Sequence, residues 1–569
     1  MKKYTKTTLK SLYPILVLLL IVVLGFCVRI WQIDRAPKGA LIDELHFGYI
    51  AQSLLQTGAD EHNQKWPLIF KGFGDQKLPA MAYLDILPVA LWGLSIFAIR
   101  VPSLLIGVAS ILASYWLLRE FSFGKKLSTL GALITALSPW PFFLSRFGFE
   151  SNIALFCLLV GLASYFRAVR QRNWYWFLLS GVALSLTWYS YIAYRPITAL
   201  LWIFGLLWLF FIEKIKREHL AVFLFSFLSL IVPFFAPSVI GVNGTRLHQV
   251  GIFSDPGLVL KIDESRTFCD MQYPRLLCDA VWNKPVLVSR MLTQRYLAAF
   301  SPNYLVSSGE DDLIFLSQDG FGQFYPIVYP FFVIGLVGLF MVGKNMSTHQ
   351  RLVVLIGLLL SPIPTILSGD PQKVRLSMWY PFVLIVIIFG IKIVLEFAHK
   401  RMRNLLLISL SLILAGYSVL YFTEYFAVHT TKNEYYYQSY LPDLHSYLQT
   451  LPESTQIHFK PFYSDPIMFY AFYTKLPPKQ YQQLAKLGEL ESSGFQHTVE
   501  LGRVTASSES LEAVGCKAQQ NNQESVYVTD QKIEQANQLY QGKASNGVHT
   551  YVYVYDSHSL LTESSCSDN

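Results

Sequence analysis

From Leu12 to about Tyr421 the chain is a succession of long apolar runs separated by short polar joints, and after Tyr425 it turns polar and mixed. Crossing a hydrocarbon layer of about 30 Å takes roughly 20 helical residues. That rule predicts spans near 12–31, 101–118, 127–144, 151–168, 174–190, 196–212, 220–240, 325–342, 352–368, 376–397 and 404–423. One further apolar stretch, Leu78 to Ala98, is ambiguous, because counting it as a crossing reverses the side of everything after it. In the tail, alternating or β-branched stretches predict strands at Thr455–Phe459, Ser525–Thr529 and Val548–Tyr555. Helical spacing there predicts helices at Pro466–Tyr473, Pro478–Leu490 and 530–540. The pattern specifies an α-helical polytopic membrane domain over 1–424 and a small α/β domain over 425–569.

Basic residues settle the ambiguous stretch. If Leu78–Ala98 stays on the outer side as an interfacial or re-entrant helix, five basic loops fall on the cytoplasmic side. They are Arg119/Lys125/Lys126, Arg167/Arg170/Arg172, Lys214/Lys216/Arg217, Lys344/Arg351 and Lys400/Arg401/Arg403, and they join Lys2, Lys3, Lys6 and Lys10, as the positive-inside bias requires. The expectation is therefore about eleven transmembrane helices in the cell membrane, a cytoplasmic N-terminus, outer loops at 32–100 and 241–324, and an extracytoplasmic tail. The first apolar run is too long for a cleaved leader and lacks a small-residue cleavage site, so it is expected to stay as an anchor.

A hydrophobic content of 53% with only 15% charged residues excludes an ordinary soluble enzyme. The net charge of +8 is explained by the loops that orient the chain, so no nucleic-acid partner is expected. Cys269, Cys278, Cys516 and Cys566 all fall on the expected outer side, where disulfides persist, and a Cys269–Cys278 bridge is the preferred pairing.

Candidate chemistry is concentrated on that side. Asp43-Glu44 opens a helical pattern just after the first span, either as a helix cap or as catalytic carboxylates. Lys77 follows a glycine-flanked turn, and Arg100 opens the second span. Three short outer turns carry Ser145-Arg146 with Glu150, Tyr189-Ser190-Tyr191 with Arg195, and Lys373 with Arg375. Basic residues placed against the orientation bias suggest function more than topology.

This ordered set resembles the C-type glycosyltransferases, in the branch of protein O-mannosyltransferases and lipid A aminoarabinose transferases, over residues 10–425. The resemblance implies a polyprenyl-phosphate sugar donor, an unspecified acceptor and membrane lipid as partners. It matches Asp43 to the catalytic carboxylate of the first loop, Lys77 to a donor-phosphate contact and Glu150 to the acidic residue of the second outer turn. Lys77-Leu78-Pro79 departs from the usual Lys-Pro-Pro or His-Pro-Pro. The chemistry then assigns Asp43 as general base with Glu44 as orienter or alternate. Lys77, Arg195, Arg375, Arg146 and Lys373 are the candidate phosphate contacts, and Asp43 with Glu150 is a candidate pair for a divalent metal. The competing reading is a transporter or flippase for a lipid-linked or anionic substrate. It calls for charge at the membrane midplane and repeated halves, and neither is visible in the sequence.

Overall fold

The structure, a computed structural model, describes residues 2–72, 75–235, 252, 257–310, 314–341, 346–462, 465–490, 496–559 and 566. Phe73-Gly74, Tyr463 and parts of the 241–324 loop lie outside the described residues. Contacts divide the chain into two units. One comprises Met1–Ile30, Leu104–Ser145 and Glu150–Thr423; the other comprises Trp31–Ser103, Arg146–Phe149 and Glu424–Asn569.

The first unit is helical and belongs to a multi-pass membrane protein. Among the described residues, seven helices are long and apolar enough to cross a bilayer: Ile96–Glu120, Glu150–Gln171, Tyr194–Phe211, Arg217–Phe235, Thr348–Ile366, Ser377–Phe397 and Lys400–Lys432. The remaining expected spans are also helical but shorter or interrupted, as at Pro14–Ile30, Trp174–Ser190 and Pro326–Phe340. The run 127–144 is broken. Its helix stops at Leu137 and a six-residue helix, Pro139–Leu144, follows. Proline disfavours helical backbone in the residue before it, and Ser138 is extended, with φ −65° and ψ 148°. The carbonyls this exposes are capped by a buried cation. Arg29 donates to the Ala136 oxygen at 2.8 Å and the Thr135 oxygen at 3.2 Å, while its Nε reaches Ser145 Oγ at 2.8 Å. A positive group at a helix C-terminus is favoured by the helix dipole.

Tyr329–Phe340 and Tyr380–Phe397 cross at backbone contact. A Cβ added at Gly390 would lie 1.8 Å from the Phe331 oxygen, and one at Gly335 would lie 2.0 Å from the Val386 oxygen. Between the spans, the helices Gly257–Asp270 and Arg275–Val281 are joined by the expected Cys269–Cys278 disulfide.

In the second unit, Ile42–Thr57 forms a helix, and a two-strand hairpin, β1 (Phe70–Gly72) with β2 (Asp75–Lys77), leads into the helix Pro79–Trp92. That last helix has 14 residues, about 21 Å at 1.5 Å each, which is too short to cross the bilayer alone. The tail builds a seven-stranded sheet from β3 (Gln456–Phe459), β4 (Ala485–Leu487), β5 (Thr498–Leu501), β6 (Val504–Ala506), β7 (Ser525–Thr529), β8 (Gln538–Lys543) and β9 (Thr550–Asp556). Its order is β4-β5-β6-β3-β7-β9-β8, with β3 parallel to both neighbours. A second disulfide, Cys516–Cys566, ties the helix Leu511–Gln520 to the end of the chain.

Two tail expectations are corrected. The helix from Pro478 ends at Leu484, and the next residues form β4 against β5. The segment 530–540 is not helical; Gln538 onward pairs with β9 as a hairpin. In both places strand pairing outweighs the local helix preference of Gln, Lys and Glu.

The Ile42–Thr57 helix is buried over most of its length because it shares one core with the tail. Leu45, Tyr49 and Ala51 pack with Ile467, Phe469 and Phe472. Tyr49 Oη donates to the Leu476 carbonyl at 3.0 Å, and the Gln482 amide donates to Ser53 Oγ, Thr57 Oγ1 and the Asp60 oxygen. Phe469, Tyr470 and Phe472 are thus core residues.

Candidate active site

The second unit concentrates charge around the start of the Ile42–Thr57 helix. Asp43 lies in the first turn, and its Oδ1 accepts from Lys77 Nζ at 2.5 Å. The partners differ in setting: the Asp43 side chain is 60% exposed and that of Lys77 only 5%. The lysine stem is covered while its ammonium reaches the carboxylate, and it also sits 5.1 Å from the centre of the Phe47 ring. The hairpin delivers it. Gly72 passes so close that an added Cβ would meet His46 at 2.5 Å and Lys77 Cε at 2.9 Å.

Glu44, its neighbour, points the other way and is 2% exposed. It accepts from Arg100 at 2.9 and 3.1 Å, from the Leu41 N–H at 2.9 Å and from the Gly148 N–H at 3.0 Å. Arg100 also donates to the carbonyls of Ile33, Pro37 and Gly39. Arg146, also fully buried, donates to the carbonyls of Trp31, Gln32 and Ala36 and lies against the Tyr425 and Phe426 rings. These two arginines and Glu44 tie residues 31–41 to the turn at 146–149.

One turn beyond Asp43, His46 meets Glu61 at 2.5 Å, with both side chains 1% exposed. Burial, helped by the charge on Lys77, lowers the imidazole below its ordinary range. Burial raises the Glu61 carboxyl to about 6 against weaker opposition from His62. A neutral imidazole donating to Glu61 satisfies both shifts. The sequence reading did not single out this pair; the signal available was the Asp60-Glu61-His62 cluster, which the first loop folds back onto the helix.

The first unit holds the remaining candidates. Arg195 donates to the Trp188 carbonyl at 3.1 and 3.3 Å and lies 4.4 Å from the centre of the Phe234 ring. Arg375 donates to the backbone and side-chain oxygens of Ser368, each at 3.2 Å. It lines a cavity of about 420 Å³ whose other walls, among them Ile197, Leu200, Leu360 and Ile363, are mainly apolar. Lys373 is 3% exposed. Its backbone N–H donates to the Glu310 carboxylate and its ammonium to the Leu316 carbonyl, beside the Phe143 ring. Burial raises the Glu310 carboxyl and lowers the Lys373 ammonium, each opposed by the other's charge. Glu150 is half-buried and begins the helix Glu150–Gln171. The structure thus joins Asp43 with Lys77, and Glu44 with the Arg146 turn, while Arg195, Arg375, Lys373 and Glu150 belong to the other unit.

Among the described residues no group of three or more His, Cys, Asp or Glu side chains is arranged to hold a metal. Asp43, one of the two candidate ligands, is paired with a lysine. Glu150, the other candidate, belongs to the first unit.

A sequence-family model for dolichyl-phosphate-mannose-protein mannosyltransferase matches residues 76–240. No curated protein sequence matches the chain. Solved structures of similar fold include ArnT from Cupriavidus metallidurans bound to undecaprenyl phosphate, with a TM-score of 0.54 and 12% identity over 98% of this chain and 99% of that one. Another is the archaeal oligosaccharyltransferase AglB from Archaeoglobus fulgidus in complex with an inhibitory peptide and a dolichol-phosphate. There the TM-score is 0.48 and the identity 13%, over 82% of this chain and 64% of that one. The family model covers residues 76–240, less than a third of the chain, and the likeness to the ArnT structure, at 12% identity, is one of fold.

Proposed function

We propose that the protein moves a sugar from a polyprenyl-phosphate carrier to an acceptor hydroxyl on the extracytoplasmic side of the membrane, with Asp43 as general base. The observation that carries this reading is the exposed Asp43 carboxylate held by a buried lysine at a helix N-terminus. The lipid phosphates bound in the ArnT and AglB structures support the donor class. So does the apolar cavity bordered by Arg375, which offers hydrocarbon contact and a cation together.

In the proposed step the acceptor oxygen attacks the anomeric carbon, and its proton passes to Asp43. The bond from that carbon to the phosphate oxygen breaks, and the electron pair leaves with the lipid phosphate. Direct displacement inverts the anomeric configuration. Lys77 has two successive tasks: in the resting enzyme it neutralises Asp43, and when the donor arrives its ammonium turns to the phosphate, which releases the carboxylate to take a proton. Glu44 and Arg146 serve by fixing the loop that carries Asp43, and Arg195, Arg375 and Lys373 remain candidate contacts for the donor in the membrane unit.

The test is transfer by the reconstituted protein from a panel of polyprenyl-phosphate sugars. Wild type is expected to consume at least one donor and Asp43→Asn none. Equal transfer by the two proteins refutes the assignment of Asp43. A C-terminal tag should be reached from outside intact cells; a tag reached only from the cytoplasm overturns the orientation.

A further inference from the structure

The disulfide-closed hairpin between the membrane helices uses its apolar residues in two ways. One set makes a small core: Ile252, Leu258, Ile262, Leu287 and Val288 hold the helix Gly257–Asp270 against the helix Lys284–Phe300. The other set is turned outward at the tip. Leu276 is 86% exposed, Met271 72% and Phe268 64%, and Tyr273 and Leu277 are each more than half exposed. The Cys269–Cys278 bridge, with its Cα atoms 5.7 Å apart, keeps the two arms of this tip together. A water-facing surface rarely gathers large apolar side chains so closely, and where it does they mark a membrane or a partner.

The root of the hairpin is fixed where a span ends. Tyr296 Oη donates to the Leu359 carbonyl at 2.9 Å and Arg295 to the Ile366 carbonyl at 3.3 Å, both in the last turns of the span Thr348–Ile366. The Ile252 N–H donates to the Leu367 carbonyl at 3.0 Å, and the Phe300 ring meets Trp379 edge-on. All these partners belong to the first unit. Leu359 and Ile363 are exposed on the span, and Leu297, beside Tyr296, is exposed on the hairpin, so the apolar outer surface of the bundle continues onto it. Val286 is exposed too, about three turns from Leu297 and on the same face of the helix. A face of that kind lays the helix along the membrane surface and keeps the tip at the same level.

The chemistry of the tip selects lipid. Among residues 268–277 only Asp270 and Arg275 are charged, and their signs cancel. Such a tip presents no field to an acidic or basic partner and gains by leaving water. Tyr273 and Arg275 suit the boundary, since an amphipathic ring and a cation on an apolar stem stay with the headgroups while their neighbours enter the chains. The body of the hairpin differs. Leu260 shares the outer face of its helix with Glu264, one turn on, so that face keeps to the headgroup layer and entry is confined to the tip.

We infer that residues 268–277 form a lipid-embedded foot, which sits in the near leaflet beside the bundle and holds the helices Gly257–Asp270 and Lys284–Phe300 down on the membrane. It is a second contact with lipid, entering from one side without crossing. The inference is independent of the reaction proposed above, because it uses only the membrane setting of the chain and the surface of the hairpin.

The test places a benzoylphenylalanine photoprobe in the full-length protein, in place of Leu276 or of Glu264. The protein is irradiated in nanodiscs of phosphatidylcholine and phosphatidylglycerol and in cell membranes, and its adducts are read by mass spectrometry. Lipid adducts are expected at 276 in both settings, at least about fivefold above those at 264. Combining Phe268→Ser, Met271→Ser and Leu277→Ser should lower the yield at 276 at least about fivefold with the thermal midpoint unchanged. A lipid yield at 276 no higher than at 264 overturns the inference, a comparison that needs no destabilised variant. So does a yield that survives the triple substitution, or a probe at 276 that in cell membranes captures another protein instead of lipid.

Discussion

Lys77 is almost wholly covered while the carboxylate it grips is mostly in solvent, so the pair is asymmetric. Removing the ammonium strips a charge-assisted bond from Asp43 and, on the proposed reaction, a contact from the leaving phosphate. Lys77→Met is expected to reduce kcat/KM at least about tenfold while leaving the fold intact, measured as transfer rate against donor concentration. Glu61 makes a different kind of prediction. Its folded pKa, about 6, lies above the ordinary 4.5, so the native state holds this proton more tightly than the unfolded chain does. The stability it contributes is complete below about 4.5 and is lost as pH rises through 6, a difference of about 2 kcal/mol. Glu61→Gln keeps an acceptor for His46 without the charge, so its thermal midpoint should exceed that of wild type at pH 8 and approach it at pH 5. A constant offset across that range refutes the assignment. At this scale Asp43 and Lys77 were visible in the sequence because both are polar groups at the edges of apolar runs. His46–Glu61 and Glu310 were not visible, since each depends on a loop returning to a distant partner.

Among the elements, the spans were the most legible, because an apolar run of some 20 residues has few other places to be. The break at Ser138–Pro139 was missed because hydrophobicity passes through it unchanged, although Pro139 carried the signal. Segment 530–540 was misread because its helix-favouring residues say nothing about the strand it pairs with. Close helix crossings are equally silent in hydropathy. Gly390 and Gly335 permit backbone contact between two spans, which small residues allow in membranes. Gly390→Leu should therefore prevent correct packing, seen as loss of a monodisperse solubilised species, whereas Gly416→Leu, with nothing within 4 Å of its added Cβ, should be tolerated. The hairpin makes a subtler case. Gly72→Ala should push His46 and Lys77 apart and lower transfer more than it lowers the thermal midpoint.

For the whole molecule, the sequence separated an apolar body from a polar tail, and it did not disclose that the first loop folds with that tail. The reason is physical: a shared core such as that of Tyr49 with Phe469 arises from tertiary packing and leaves no local periodicity. Removing residues 425–569 is expected to make the 31–103 loop sensitive to protease and to abolish transfer, even if the helices still insert. Retained activity in the shortened protein would contradict this dependence.

The hydrogen bond from Gln482 to Ser53 joins positions 429 residues apart in the chain. A ribosome makes Ser53 long before Gln482, and domains generally fold in the order of their synthesis. Here the loop bearing the proposed base must wait, unfinished, until Gln482 has been made. On the proposed function, a copy that stops before Gln482 would be catalytically silent, so transfer would depend on synthesis reaching the tail.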